Sequence, residues 1–345
     1  MAIAHKELPP MPVRPDWLAL QPEPIIEPEL PIIDPHHHFY LKPGLTYLLD
    51  DLAADLGSGH NILATVYLEY RSKYRTEGDP DFFCLGETEF VVGLAREGDR
   101  RGASTRITAG IVGHADLMLG ARVQRELDAQ MHIGDGRFRG IRYSTVYHPD
   151  PSAQGSPLHR EPGVMATKAF REGFAKLAPL GLSNDAWLYH TQVSELTDIA
   201  RAFPETTIVL DHVGGVLAID PYAGKRDDVF KTWKADIAAL AACPNVCVKL
   251  GGGGMRMFGF GWHDQPKPPS SEQIAREWRP YIDTCVELFG TQRCMFESNF
   301  PVDKCSYSYA VIWNAFKRIA AGASAGEKAD LFRETAARVY RLSGP

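Results

Sequence analysis

Residues 31–39 read PIIDPHHHF. A short apolar run enters from a proline and ends in three consecutive histidines. In an extended strand successive side chains point to opposite faces, so His36 and His38 share one face and His37 takes the other. Two imidazoles at that spacing on one strand end can grip a single divalent cation. The run is therefore read as a buried strand, Pro31–His38, whose C-terminal end carries chemistry.

Seven more runs of the same kind follow along the chain: Ile62–Glu69, Arg106–Gly113, Phe138–Tyr143, Asp185–His190, Thr207–His212, Asn245–Leu250 and Cys294–Asn299. Each is short and bounded by Gly, Pro, Asn or Asp, as strands buried on both faces should be. Amphipathic stretches separate them, among them Asp116–Met131, Val164–Leu180, Ser194–Phe203, Asp227–Ala242 and Ser271–Phe289. The last helix opens with Ser324-Ala-Gly-Glu327, the spacing of a capping box. Eight strand-then-helix units suggest one closed α/β (β/α)8 TIM barrel, although a doubly wound open sheet shows the same local alternation. Domain organisation is read as an extended Pro-rich arm, residues 1–30, followed by a single domain, 31–345. Pro9, Pro10, Pro12, Pro15, Pro22, Pro24 and Pro28 make the arm a strap rather than a helix or a central strand. The strap either wraps the body or reaches a second subunit. Residues 251–270, GGGGMRMFGFGWHDQPKPPS, follow the seventh strand and read equally as a lid over a pocket or as a long surface loop.

Composition narrows the function. The chain has 345 residues, 44% of them hydrophobic and 23% charged, enough apolar material for a large core. Against 37 Lys and Arg stand 43 Asp and Glu, a net charge of −6, with no dense basic tract, so nucleic acid is not an expected partner. No window resembles a membrane span or a secretory leader, and six scattered cysteines without a CxxC read as reduced thiols. The expectation is a soluble, cytoplasmic protein acting on a small molecule, either alone, as a homo-oligomer or with a related subunit.

Histidines close two later strands as well, His190 in DAWLYH and His212 in IVLDHVGG. A lone histidine at a strand end is usually just a satisfied polar residue. In a barrel, however, all the C-terminal strand ends converge on one mouth. Four convergent imidazoles suit Zn²⁺, with Mn²⁺ or Fe²⁺ as alternatives, better than the oxygen-seeking Mg²⁺ or Ca²⁺. Glu69, ending the second strand, is an oxygen donor close to that mouth; its plain alternative is a buried partner for a cation of the RSKYR stretch after it.

In this order DPHHHF, GIRY (140–143), WLYH (187–190), LDHVGG (210–215), NVCVKL (245–250) and MFESNFPVDK (295–304) resemble the amidohydrolase superfamily, in particular the amidohydrolase-2 branch that includes sugar lactonases. The resemblance covers residues 31–342. It implies a distorted (β/α)8 barrel with a metal at its mouth, His36 and His38 as first-strand ligands and His190 as the fifth-strand ligand. His212 matches the histidine that activates or orients the hydrolytic water, and Arg142 the cationic group that holds a substrate carboxylate or polarises a carbonyl. An interior ion pair is the structural alternative for Arg142.

One position departs from the pattern. Where the family ends its eighth strand in a metal-binding Asp that accepts the water's proton, this chain has Asn299. An amide is a weak ligand and cannot serve as a general base. Glu69 is the expected replacement ligand; Glu297, one layer deeper on the face of Asn299, and Glu87, Glu89 and Asp303 are weaker candidates. Asp34 and Asp211 alternate away from the metal face. The function expected is metal-dependent hydrolysis of a small lactone, ester or amide of an organic acid, with His212, Arg142 and Asn299 at the reacting centre. An Fe- or Mn-dependent oxygen-activating hydroxylase and a non-catalytic metal-binding partner subunit remain the alternatives.

Overall fold

The computed structural model describes residues 11–42, 45–153 and 161–342. Eight parallel strands run in sequence order around a barrel: β1 Ile32–His37, β2 Ile62–Leu68, β3 Arg106–Gly113, β4 Phe138–Arg142, β5 Ser183–Ala186, β6 Ile208–Leu210, β7 Val246–Leu250 and β8 Cys294–Phe296. The first and last strands meet through a single bridge, His37 with Phe300, where His38 N–H donates to the Phe300 carbonyl at 2.8 Å. The alternation of strand and helix thus resolves as a (β/α)8 barrel with a distorted seam. The main helices outside it are α1 Leu49–Leu56, α2 Leu85–Arg100, α3 Val123–Ile133, α4 Lys168–Phe174, α5 Val193–Ala202, α6 Arg226–Ala241, α7 Ser271–Phe289 and α8 Tyr309–Ile319. None of the described helices is long and apolar enough to cross a membrane.

Side chains fill the barrel from the bottom up. Ile33, Ala64, Val66, Leu68, Ala109, Val112, Val209, Cys247 and Met295 form an apolar layer, plugged from below by Ala336, Val339, Tyr340 and Leu342 at the chain's end. That end is a broken helix, α9 Ala325–Ala329, a π turn and α10 Thr335–Val339, and Ser324 and Glu327 do form the capping box its sequence announces. Two residues further along β7 the period-two alternation brings Lys249 to the same inner face, and Glu297, just past the end of β8, joins it there. The layer above the plug is therefore charged.

Several elements end earlier than their sequence pattern. β5 stops at Ala186, so His190 lies in a 3-10 turn, His190–Gln192, beyond the strand. β6 stops at Leu210 and passes into a left-handed turn, with His212 at φ 52° and Val213 at φ 49°. The stretch 116–131 is broken at Gly120, φ 60°, into a 3-10 segment and α3. The stretch 164–180 is cut into two 3-10 turns around α4. In residues 251–258, Gly251, Gly252, Gly253, Gly254, Met257 and Phe258 are buried against the body. Of the two expectations for the arm, the described part lies against the body. Trp17 Nε1 donates to the Gln265 carbonyl at 3.0 Å, the Ser271 N–H to Glu23 Oε1 at 2.7 Å, and Ile26 N–H to Asn314 Oδ1 at 2.9 Å.

Candidate active site

β1 is irregular between Asp34 and His37. Asp34 anchors this stretch sideways, accepting from Ser298 N–H at 3.0 Å, Ser298 Oγ at 2.6 Å and Tyr309 OH at 2.9 Å. His37 turns outward to Thr65 Oγ1 at 3.0 Å. His36 and His38 turn inward, and their Nε2 atoms stand 3.2 Å apart. Nδ1 of His38 lies 2.9 Å from the Leu68 carbonyl, which can only accept, so that nitrogen carries the proton and Nε2 presents a lone pair. Burial, with the Arg142 charge adding, holds His38 well below the ordinary imidazole range.

Beneath them lies a continuous ionic layer. Lys249 Nζ is 2.7 Å from Asp185 Oδ2, 3.1 Å from Asp211 Oδ1 and 3.2 Å from His36 Nδ1. Burial pulls the lysine down, but Asp185, Asp211 and Glu297 outweigh it and hold its pKa above the usual value, so the ammonium persists. Tyr340 OH, rising from the plug, donates to the same Asp185 oxygen at 2.6 Å. Arg142 Nε donates to Glu69 Oε1 at 2.9 Å and its Nη1 lies 3.5 Å from Asp211 Oδ2 and 3.4 Å from His36 Nε2. Burial opposes that charge as well, and Glu69 and Asp211 more than offset it.

Glu297 ties two strands together. Its Oε1 accepts from His212 Nδ1 at 2.6 Å, and its Oε2 lies 2.7 Å from His36 Nδ1. With its Nδ1–H donated to Glu297, the His212 ring has Nε2 as its acceptor. Its ring sits 4.6 Å from that of His36 and packs edge-on against Trp187 at 5.1 Å. β8 stops at Phe296, short of the expected Asn299, and three residues on, at φ 54°, Asn299 Nδ2 donates to Asp303 Oδ1 at 2.9 Å. Asp303 Oδ2 takes Gly254 N–H at 3.0 Å and the Tyr307 hydroxyl. Burial pushes Asp303 up to about 7, opposed chiefly by the Tyr307 hydroxyl.

The residues singled out from the sequence are thus distributed unevenly. His36, His38, His212 and Arg142 come together in one buried cluster. Glu69 borders it but is engaged by Arg142, the ion pair that was the plain alternative for both residues, with the cation coming from β4 rather than from the RSKYR stretch. His190 stands with a different group: its Nδ1 takes the Leu217 N–H at 3.2 Å, its ring lies 5.2 Å from that of Tyr222, and Tyr222 OH meets His148 Nε2 at 2.9 Å. Asp211 does not turn away as strand alternation implies. The ladder ends one residue before it, and the left-handed turn that follows sends both Asp211 and His212 inward. Lys249 and Asp185 were not singled out at all. Their signal was a charge set within an otherwise apolar strand, as in NVCVKL.

The donors present suit a divalent cation. His36, Asp211 and His212 offer ligand atoms within 4.8 Å of one another, all buried. Four carboxylates, Glu69, Asp185, Asp211 and Glu297, stand against two cations, Lys249 and Arg142, and burial raises the pKa of Asp185. Asp185 Oδ1 is buried without a hydrogen-bond partner. His36 Nδ1 lies between the Lys249 ammonium at 3.2 Å and Glu297 Oε2 at 2.7 Å, and its Nε2 faces both the His38 lone pair at 3.2 Å and Arg142 Nη1 at 3.4 Å. With the proton on Nδ1, two imidazole lone pairs converge where the guanidinium already stands, an arrangement that can also accept a metal ion.

A parallel barrel whose mouth gathers imidazoles over a carboxylate and ammonium layer is the frame of a barrel enzyme working on small molecules. The chain belongs to the amidohydrolase family, whose sequence profile it matches over residues 33–342. It is 35% identical over 337 residues to the uncharacterized protein y4mH of Sinorhizobium fredii, covering 91% of this chain and 99% of that one. It is 28% identical over 322 residues to the L-fucono-1,5-lactonase of Burkholderia multivorans, covering 91% and 97%. Among solved structures, a zinc-bound amidohydrolase from Burkholderia multivorans superimposes with a TM-score of 0.67 at 24% identity, over 90% of this chain and 99% of that one, a likeness of fold. The protein is accordingly an enzyme of the amidohydrolase type, whose chemistry at family level is metal-dependent hydrolysis.

Proposed function

We propose that the chain hydrolyses a small lactone or ester of an organic acid, with His212 as the base and Arg142 steadying the developing oxyanion. One observation carries this reading: Glu297 Oε1 accepts a hydrogen bond from His212 Nδ1–H at 2.6 Å, which leaves the other ring nitrogen, Nε2, to accept a proton beside the His36/His38 pair. An imidazole oriented by a carboxylate is what proton removal from water requires. His36 and His38 would hold the cation through Nε2. A bound Zn²⁺ supplies Lewis acidity and lowers the pKa of water to about 7, and the imidazole donors favour it over Mg²⁺ or Ca²⁺. Glu69 and His190, the other two expected ligands, are held by Arg142 and by the Leu217 N–H. In the proposed reaction Glu69 orients Arg142, and His190 lines the Tyr222 side of the mouth.

The chain's own groups then divide the work. His212 takes a proton from the attacking water and returns it to the leaving alkoxide. Arg142, kept cationic by Glu69 and Asp211, lies 3.4 Å from His36 Nε2 and so can donate to an oxyanion formed beside that ring. Metal analysis and a lactone panel test the reading together. Protein as purified should carry one zinc per chain and open lactone rings. His36→Ala and His38→Ala should lose metal and turnover while keeping the wild-type circular dichroism, because the plug and outer core do not depend on them. Full metal content in both variants, or bound iron with oxygen uptake in place of hydrolysis, overturns it.

A further inference from the structure

The end of the barrel opposite the mouth gathers arginines. Arg106 opens β3, Arg137 precedes β4, Arg139 is the second residue of β4, and Arg341 follows α10 beside the plug. Two of them are in direct contact with one another's surroundings. Arg341 Nη2 donates to the Arg139 carbonyl at 3.2 Å, and a Cβ at Gly110 would stand 3.3 Å both from Arg139 Cγ and from Leu342, the residue after Arg341. Burial lowers the Arg139 pKa, and Arg341, Arg106 and Arg137 each lower it further, so the neighbouring charges felt by this guanidinium are positive. The acids of this end are engaged elsewhere: Asp99 holds Arg137, and Asp135 pairs with Arg96 at 2.9 Å.

Among the described residues, no carboxylate pairs with Arg139 or Arg341. Arg139 Nη1 donates to the Gly136 carbonyl at 2.6 Å and to the Phe138 carbonyl at 3.3 Å, while its Nε is buried without an acceptor. The edge of the guanidinium formed by Nε and Nη2, the edge that grips an oxyanion with two parallel hydrogen bonds, is therefore open. A buried donor without an acceptor and like charges side by side both destabilise the surface as it stands. We propose that this end of the barrel binds a phosphoryl group, free or carried by a small molecule, between Arg139 and Arg341. A phosphate monoester carries about −1.5 to −2 charge at pH 7, which neutralises both guanidiniums, whereas a single carboxylate would leave one positive charge over. The site lies across the apolar plug from His36 and His212, so it is separate from the reacting centre and independent of the hydrolase reading.

Calorimetry at constant ionic strength tests this, with inorganic phosphate and glucose 6-phosphate titrated separately into the full-length protein. The wild type should bind one anion per chain saturably. Binding should weaken about ten- to a hundredfold in Arg139→Gln and in Arg341→Gln, the worth of a hydrogen bond to a charged group. Arg96→Gln removes an arginine already paired with Asp135 and should bind as the wild type does. The melting temperature gives a second readout: phosphate should raise that of the wild type and of Arg96→Gln and leave the other two variants unmoved. Arg341 is exposed, so its variant decides the matter even if Arg139→Gln fails to fold. Tighter binding of glucose 6-phosphate supports a phosphorylated small molecule as the occupant, and tighter binding of inorganic phosphate supports the free ion. No saturable binding of either anion, equal weakening in all three variants, or affinity that survives in both Arg139→Gln and Arg341→Gln overturns the proposal.

Discussion

Glu297 shows how much one side chain decides here. A single carboxylate faces Nδ1 of two imidazoles from different strands, His36 at 2.7 Å and His212 at 2.6 Å. Two acceptor oxygens are needed for that. Glu297→Gln keeps the shape but offers one acceptor and one donor, so one ring must flip, lose its partner or take the wrong tautomer. Partners that orient metal-binding histidines are typically worth 10–100-fold in affinity. Zinc affinity, measured by competition with a chromophoric chelator, should fall by about that factor in Glu297→Gln while the fold persists. Unchanged affinity and turnover would mean that the carboxylate does not set these tautomers. At this scale the sequence was legible wherever strand alternation holds. His36 and His38 follow from it directly; Glu297 and Asn299 lie beyond the end of β8, Asn299 at φ 54°, where alternation no longer governs. Asp211 departs from alternation because the ladder ends at Leu210 and a left-handed turn begins at His212. Lys249 was overlooked because apolar strands were read for their pattern and not for their exceptions.

The run Gly251–Gly254 makes the same point for an element. Read as sequence, a glycine-rich segment after β7 suits a hinge as well as a plain loop. In the structure its backbone is a wall pressed against the site. Added Cβ atoms would meet Glu297 at 2.3 Å from Gly251, the His212 ring at 2.6 Å from Gly252, Trp278 at 3.2 Å from Gly253 and Asp303 at 2.8 Å from Gly254. The glycines are there for closeness, which no periodicity reveals. Gly252→Ala should therefore act in two ways: a methyl at φ 80° costs about 1–2 kcal/mol of stability, and contact with the His212 ring displaces the base. Gly261→Ala, in the same segment at φ 64° but with nothing within 4 Å, carries only the backbone cost. Gly252→Ala should therefore melt lower than Gly261→Ala and alone lose turnover; equal turnover in the two variants would show that the wall does not hold His212. Among the strands, β3 and β7 match their patterns to within a residue, whereas β5 starts two residues before its expected Asp185 and stops at Ala186, and β6 and β8 are each cut to three residues. The breaks at Gly120 and around α4 were not foreseen, because turn conformation there is decided by packing on neighbouring elements rather than by local pattern.

On the scale of the whole molecule, the described part of the arm acts as a strap whose buckle is Lys317. Its ammonium donates to the Ile26 and Glu27 carbonyls at 2.9 and 2.8 Å and to His60 Nδ1 at 2.9 Å. Proline content announced an extended strap, but not its partner, because the contacts join residues almost 300 positions apart in the chain. His60 sets a pH limit on that buckle. Its Nε2 faces the Ala310 carbonyl at 3.0 Å and so carries the ring proton, leaving Nδ1 as the acceptor for Lys317. Protonating Nδ1 would remove the acceptor and set an N–H against the ammonium. Burial, with Lys317 adding, lowers the His60 pKa to about 4 from the ordinary 6.5. The unfolded chain therefore binds this proton more readily than the folded one at intermediate pH. The stabilisation is complete above about pH 6.5, declines as pH falls, and is gone once pH passes below about 4. In His60→Gln the amide can donate to Ala310 and accept from Lys317 without titrating. Between pH 6.5 and 4 the melting temperature of the wild type should thus fall more steeply than that of His60→Gln, and protease cleavage within residues 11–30 should accelerate over the same interval. Parallel curves would mean that the buckle does not respond to His60.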